Sequence, residues 1–263
     1  MKKSIKTYLK TAAKDYTSRS VNPPVVRAST ILFKTMQELR KHQKNIAQHK
    51  DVDHWDYARQ GTQTTVQLQK LLRGLEEAHQ VFLTPTGFSA VVLAIMSICR
   101  PGDEIVISDG VYRPTQKLTD NLLKEFNVKT VWYNPNNLED LKNKITKKTK
   151  LIYVENPGSN TFEMQDLSKV VSLAKRKNIF TAIDNTWATA YFFKPLKLGF
   201  DMAITSATKY YSGHSDVMGG TLAVNKKVYK KVWWYNHVSG YRLSPDDAYL
   251  IIRGLRTLDI RMD

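Results

Sequence analysis

One stretch of the sequence joins an apolar run to a lysine and then to glycines, and it reads Asp201-Met-Ala-Ile-Thr-Ser-Ala-Thr-Lys-Tyr-Tyr-Ser-Gly-His-Ser-Asp-Val-Met-Gly-Gly220. The run from Met202 to Thr205 predicts a buried strand, and the glycines predict a turn. Lys209 is therefore predicted to lie at the end of a buried strand, away from solvent. Burial lowers the pKa of an ammonium group, and a neutral amine can form a Schiff base. Taken alone, Lys209 is equally well interpreted as a surface residue, because the chain has 40 Lys plus Arg.

Strands and helices alternate on both sides of this stretch. Apolar runs predict seven strands, over 81–83, 104–108, 129–133, 151–154, 179–183, 202–205 and 221–224. Periodic segments predict helices between them, over 65–78, 89–99, 115–126, 138–145, 166–177 and 226–238. This alternation predicts an α/β fold with a mostly parallel seven-stranded sheet and helices on both faces.

Three polar groups follow predicted strands, where ligands bind in open α/β sheets. Thr84-Pro-Thr-Gly87-Phe88-Ser89 opens an apolar helix and offers free N–H groups to a phosphate, although a glycine before a helix is usually only a turn. Asp184 ends one strand and Tyr112 follows another. A helix cap and a packing tyrosine are the simpler interpretations of these two residues.

A fourth group, Tyr57-Ala-Arg59-Gln-Gly-Thr-Gln-Thr64, precedes the first helix of the sheet. Its hydroxyl and guanidinium groups can bind one phosphate together. In this order, the groups resemble the pyridoxal-phosphate (PLP) enzymes of cysteine and methionine metabolism, which have a Ser/Thr–small–Thr–Lys–aromatic signature. Glu155-Asn-Pro-Gly-Ser159 and Arg253-Gly-Leu-Arg-Thr-Leu258 extend the resemblance over nearly the whole chain.

The resemblance implies PLP as cofactor on the large domain of a fold type I enzyme, with Lys209 as its covalent anchor and Asp184 as partner of its ring nitrogen. Tyr112 would stack on the ring, and Lys209 and Tyr112 would be catalytic. Tyr57 and Arg59 would reach the phosphate site of a second subunit, which implies a homotetramer built from dimers. The implied cofactor-binding set is Lys209, Asp184, Gly87, Phe88, Ser206, Thr208, Tyr112, Thr186, Tyr57 and Arg59.

The family's branches differ near the first motif. Its γ-acting members typically read Tyr-x-Arg-x-x-Asn-Pro-Thr, whereas residues 57–64 of this chain resemble the β-lyase branch. The implied reaction is β-elimination on cystathionine, a step of trans-sulfuration and methionine biosynthesis that yields homocysteine, pyruvate and ammonia. Two alternatives stay open: a γ-acting relative (a cystathionine γ-synthase, a γ-lyase or a methionine γ-lyase), and a truncated PLP-binding remnant with little activity.

The resemblance also divides the chain. Residues 1–60 are expected to form an N-terminal arm with one helix near 35–48, and residues 61–243 the PLP-binding α/β domain. Residues 244–263 would begin a long helix, through Leu258, that leads to a C-terminal domain absent from this sequence. That domain would supply the arginine for the substrate carboxylate. Without it, the helix is expected to expose an apolar face.

Composition limits the other classes of function. The net charge of +16 is spread along the chain without an arginine-rich stretch, which argues against nucleic-acid binding. Cys99, the single cysteine, is predicted to be a packed core thiol in a cytoplasmic protein. No apolar run is long enough for a membrane span or a secretion signal. His42, His49 and His54 lack the spacing of helical metal ligands, so no metal site is expected.

Overall fold

The computed structural model describes residues 4–13, 20–49, 53 and 56–263, so that His54 lies outside the described residues. Seven strands are present: β1 Gln80–Thr84, β2 Glu104–Ser108, β3 Lys129–Tyr133, β4 Thr149–Glu155, β5 Phe180–Asp184, β6 Met202–Thr205 and β7 Gly220–Val224. The helices before β2 are α1 Ile5–Thr11, α2 Met36–Ala47, α3 Gln63–Glu76 and α4 Gly87–Ile98. Those that follow are α5 Arg113–Lys117, α6 Leu123–Glu125, α7 Leu138–Lys144, α8 Leu167–Lys177, α9 Thr189–Phe192, α10 Pro195–Leu198, α11 Tyr229–Ser239, α12 Pro245–Leu255 and α13 Leu258–Met262.

The strands form one sheet in the order β1-β7-β6-β5-β4-β2-β3. Strands β3, β2, β4, β5 and β6 pair in parallel, and β7 runs antiparallel to both β6 and β1. The predicted α/β class and the mostly parallel seven-stranded sheet are confirmed. Because β1 runs in the same direction as the five parallel strands, its carboxyl end lies at the same edge as theirs.

Both faces of the sheet are covered by helices, which is why its inner strands are mainly apolar on both sides. In β4, Ile152 and Val154 pack into one core with α3 and α8, whereas Leu151 and Tyr153 pack into the other with α4 and α11. Parallel strands covered on both faces carry continuous apolar runs instead of an alternating pattern.

The C-terminal segment differs from the expectation in two ways. The predicted long helix through Leu258 is broken, because α12 ends at Leu255 and α13 begins at Leu258. The expected exposed apolar face is wrong, since Ile251, Ile252 and Leu255 are buried in the core that includes α3. The packing surface of α12 is thus supplied by this chain itself.

Two further helical segments differ from their patterns. The predicted helix 115–126 contains a π-helical turn, Leu118–Leu122, between α5 and α6. Helix α1 lies in the first part of the arm, before residue 35, where no helix was predicted. It buries Leu9 completely in the core with α3. The arm helix near 35–48 is confirmed as α2.

Cys99 is buried at the end of α4, as predicted for a packed core thiol. Burial raises the pKa of its thiol to about 12. In the part of the chain that the structure describes, every helix is too short or too polar to cross a membrane.

Candidate functional site

The predicted site residues converge because their strands end at one edge of the sheet. Asp184, the last residue of β5, pairs in register with Glu155 of β4 and with Ile204 of β6. Thr84, the last residue of β1, pairs with Gly220 of β7, which also borders β6. The loops after β1, β4, β5 and β6 therefore lie together at this edge.

The loop that carries Lys209 is a compact turn held by its own backbone. Lys209 N–H donates to Ser206 O at 3.1 Å, and Gly213 N–H donates to Lys209 O at 2.8 Å. Ala207 and Tyr211 are fully buried and fix the turn on the core. The Lys209 side chain itself is exposed. The expectation that it is withdrawn from solvent is therefore wrong, because β6 ends at Thr205 and the lysine lies on the outer side of the following turn.

Helix α12 packs against this turn at Gly254. A Cβ atom on Gly254 would overlap the carbonyl oxygens of Tyr211 and Ser212 and lie 2.7 Å from the carbonyl carbon of Ser212. Only glycine allows the helix to approach the lysine turn so closely. The resemblance included this residue within a matched segment without giving it a role.

Gly87 and Ser206 form a cradle at the start of α4. A Cβ atom on Gly87 would overlap Ser206 Oγ and lie 2.6 Å from Ser206 Cβ. The Thr86 hydroxyl caps the N–H of Ser89 at 3.0 Å. The N–H groups of Gly87 and Phe88 meet no acceptor among the residues that the structure describes. Two free donors at the positive end of a 12-residue helix, beside a hydroxyl, suit a phosphate.

Two threonines organise the neighbouring loops. The Thr186 hydroxyl accepts a hydrogen bond from Ser206 N–H at 2.9 Å, which ties the loop after β5 to the cradle. The Thr208 hydroxyl donates to Gly219 O and accepts from Gly219 N–H, both at 3.1 Å. Thr208 therefore holds the lysine turn onto the residue before β7, and its single O–H donor is in use.

Asp184 and Glu155 are buried side by side. Burial raises the pKa of Asp184, and the hydroxyl and N–H of Thr186 oppose that rise, with the N–H 3.0 Å from Asp184 Oδ1. Burial, and then the charge of Asp184, raise the pKa of Glu155 to about 9. The sequence placed Glu155 only in a matched segment, and its position at the end of an apolar strand is the signal that could have identified it.

Tyr112 follows the end of β2 and directly precedes α5, and its stacking on a cofactor ring stays a prediction. Its backbone N–H donates to Glu155 Oε2 at 2.7 Å, while 48% of the residue is exposed. The ring is thus held at its backbone and open on one side. Sequence reasoning missed an aromatic row nearby. The ring centres of Phe162 and Trp187 lie 5.1 Å apart in an edge-on contact, and those of Trp187 and Tyr210 lie 6.2 Å apart.

Tyr57 and Arg59 do not join the other residues in a single chain. The Arg59 guanidinium lies 5.8 Å from the centre of the Tyr57 ring and donates to His237 O of α11 at 3.0 Å. Together with Tyr229, Trp233 and other residues of α11 and β1, Arg59 lines a separate cavity at the β1 edge. Their expected role in a second subunit is compatible with this separation and stays a prediction.

Comparisons with known proteins give the family. The model of the Cys/Met metabolism PLP-dependent enzymes matches residues 6–263. A putative cystathionine β-lyase of Rhizobium johnstonii is 37% identical over 92% of this chain and 59% of its own length. The cystathionine β-lyase of Haemophilus influenzae is 34% identical over 95% of this chain and 62% of its own length.

A solved structure leads to the same family. The cystathionine γ-lyase of Lactobacillus plantarum, solved in complex with L-serine, superposes with a TM-score of 0.88 at 28% identity, over 98% of this chain and 65% of that one. The chain spans about three fifths of the length of the two curated relatives. It belongs to the Cys/Met metabolism PLP-dependent enzyme family.

Proposed function

We propose that this chain forms the cofactor-binding part of a PLP-dependent carbon-sulfur lyase that carries out β-elimination on cystathionine. The observation that carries the proposal is the Gly87–Ser206 cradle, which lies at the same sheet edge as Asp184 and the turn of Lys209. The two relatives described as cystathionine β-lyases, at 37% and 34% identity, support the choice of reaction.

The residues present fit PLP. Gly87 N–H, Phe88 N–H and the Ser206 hydroxyl would bind its phosphate, since Ser206 Oγ lies so close to Gly87 that a Cβ atom on Gly87 would overlap it. Asp184 would bind the ring nitrogen, the exposed side of Tyr112 would cover the ring, and Lys209 would anchor it. Bound PLP supplies an electron sink for the pair of electrons left behind when a proton leaves the substrate Cα.

The chain's own groups then have separate tasks. Lys209 Nζ accepts the Cα proton, and its exposed position lets it reach a substrate that enters from solvent. The Asp184 carboxylate keeps a proton on the ring nitrogen. Breaking the Cβ–S bond releases homocysteine, and hydrolysis of the remaining three-carbon unit yields pyruvate and ammonia. Cystathionine and one water thus account for all products.

A γ-acting enzyme is the second candidate, favoured by the likeness to the cystathionine γ-lyase at a TM-score of 0.88. Residues 57–64, which lack the Asn-Pro-Thr of the γ branch, favour β-elimination. We also propose a cytoplasmic homotetramer built from dimers, in which Tyr57 and Arg59 complete a partner's phosphate site. The exposed rings and charges of these two residues support that role.

One experiment tests the proposal. The purified chain is titrated with PLP by absorbance and then given cystathionine. We expect a cofactor absorbance band that Lys209→Ala abolishes and that Lys197→Ala, a control on the exposed lysine of α10, leaves unchanged. Pyruvate supports β-elimination, and 2-oxobutyrate supports the γ branch. A band without either keto acid supports the low-activity remnant, and a Lys209→Ala variant with the wild-type band would refute the anchor.

A further inference from the structure

Two carboxyl groups lie side by side at the carboxyl ends of β4 and β5. Glu155 and Asp184 are paired in register, and they are only 6% and 8% exposed. Residues paired in neighbouring parallel strands are about 4.8 Å apart and point to the same face of the sheet. In residues 4–13, 20–49, 53 and 56–263, no Lys or Arg forms an ion pair with either group. Two such carboxyls cannot both be ionised without a large electrostatic cost.

The surroundings of the two carboxyls decide which one keeps a proton. Asp184 receives the N–H and the hydroxyl of Thr186, and these donors stabilise a negative charge. Glu155 faces the charges of Asp184 on β5 and of Glu163 in the loop after β4, and both disfavour its ionisation. The remaining groups that face Glu155 are the N–H of Tyr112, the hydroxyl of Ser159 and the buried phenol of Tyr153.

The contact with Tyr112 gives Glu155 a second task. Glu155 Oε2 accepts the N–H of Tyr112 at 2.7 Å, just before α5 begins at Arg113. Tyr112 N is four residues beyond the end of β2, and this contact joins its loop to the end of β4. The direction of the Tyr112 ring therefore depends on the position of the Glu155 side chain.

We propose that Glu155 is a positioning residue of this site, which fixes the backbone of Tyr112 and holds the proton that leaves Asp184 ionised. The proposal rests on the proposed function, since an ionised Asp184 and an oriented Tyr112 matter for binding PLP. Glu155 itself touches neither cofactor nor substrate. It acts through its two neighbours.

The first test uses the chain without cofactor, so that its result does not depend on PLP. Hydrogen exchange of the Tyr112 amide is measured in wild type, Glu155→Gln and Glu155→Ala. Gln keeps a neutral acceptor, so we expect wild-type protection, whereas Ala removes the acceptor and should speed exchange about tenfold. Glu125→Gln, an exposed glutamate on α6, is the control and should change nothing. Equal exchange in the Gln and Ala variants would overturn the positioning role.

The second test detects the proton on Glu155 through the pH dependence of folding stability. The wild-type Glu155 carboxyl has its folded pKa raised to about 9, so the unfolded chain releases this proton at a lower pH than the folded chain does. The urea midpoint of Glu155→Gln should therefore rise relative to wild type from about pH 5 to pH 9 and stay constant above. A difference between the two midpoints that is the same at every pH would place the proton elsewhere. This test needs no alanine variant and remains decisive if Glu155→Ala fails to fold.

The third test adds PLP. Glu155→Ala should bind PLP about tenfold more weakly than wild type, and Glu155→Gln should restore the affinity, because it supplies the same neutral acceptor. A Gln variant as weak as Ala would refute the proton assignment. If wild type binds no PLP, the proposed function fails, and the amide exchange and the pH profile still decide the role of Glu155.

Discussion

The phenol of Tyr211 donates to Glu76 Oε1 at 2.6 Å, and it joins the turn of Lys209 to helix α3 through two fully buried side chains. Tyr211 lies two positions after Lys209, and its hydroxyl also accepts the N–H of Ala190 at 3.3 Å. The lysine turn is thus fixed to the core by a buried polar contact as well as by apolar packing. The other oxygen of that carboxyl, Glu76 Oε2, is buried with no hydrogen-bond partner among the described residues, so this polar contact is only partly satisfied.

Stability should depend on pH through Glu76. Burial raises its pKa from 4.5 to about 7, so between these values the unfolded chain loses the proton first and the free energy of unfolding falls as pH rises. Glu76→Gln removes this loss and should be more stable than wild type at pH 8, by up to about 3 kcal/mol, with no gain at pH 4. Urea unfolding at several pH values measures it. Glu77→Gln is the matched control, and an equal gain at both pH values would contradict the assignment.

The cradle should be sensitive to a single methyl group. Gly87→Ala places a Cβ atom 2.6 Å from Ser206 Cβ, so the loop must move and the affinity for PLP should fall at least about tenfold. Absorbance titration measures this. Ser89→Ala is the control: it breaks the reciprocal cap with Thr86 and should cost about 1 kcal/mol of stability while keeping the donors of Gly87 and Phe88. Equal losses of affinity in both variants would show a general weakening of α4.

The contact below the lysine turn should be equally intolerant. A Cβ atom on Gly254 would meet backbone atoms of Tyr211 and Ser212, which cannot rotate away. Gly254→Ala should lower the free energy of unfolding by about 1–3 kcal/mol, measured with urea. Arg253→Ala, the adjacent residue with an exposed pair to Asp216, should change it by at most about 1 kcal/mol. A stable Gly254→Ala variant would show that α12 can move away from the turn.

Cys99 should be inert in the folded chain. Its thiol is buried with a pKa raised to about 12, and the thiolate is the reactive form. An aromatic disulfide reagent at pH 8 should therefore react at the rate of unfolding, and it should react within the mixing time in concentrated urea. Because Cys99 is the single cysteine, the absorbance change reports this site alone. Rapid labelling under native conditions would contradict the burial.

The sheet could be predicted because its strands are apolar on both faces, and each predicted strand agrees with the structure within two residues at either end. The long helix after Ser244 was predicted to be continuous, because its apolar pattern does not show where α12 ends. The exposure of Lys209 was missed for a related reason. A strand pattern fixes where β6 ends, whereas the direction of the following turn depends on the contacts of Tyr211 with Glu76 and of Ser212 with Gly254.

The site residues differ in how well they could be predicted from the sequence. Asp184 and Gly87 were singled out by their places at a strand end and before a helix, and the family resemblance, not the residue types, favoured a cofactor role over a helix cap and a turn. Glu155 carries one such signal, its place at the end of an apolar strand, but its pairing with Asp184 across β4 and β5 could not be predicted, since strand order is a property of the whole sheet. Tyr57 and Arg59 match in type, but in one chain they contact each other, Thr30 and α11.

The close approach of Gly254 to the turn of Lys209 also affects when this turn can fold during synthesis of the chain. The turn and the strand before it are synthesised about forty residues before the helix that supports them. A growing chain that has been synthesised as far as Gly220 therefore contains every residue of the cradle. It still lacks α12, the helix that packs against the lysine turn. Cofactor loading should begin only after Leu255 has left the ribosome, when α12 closes against α3.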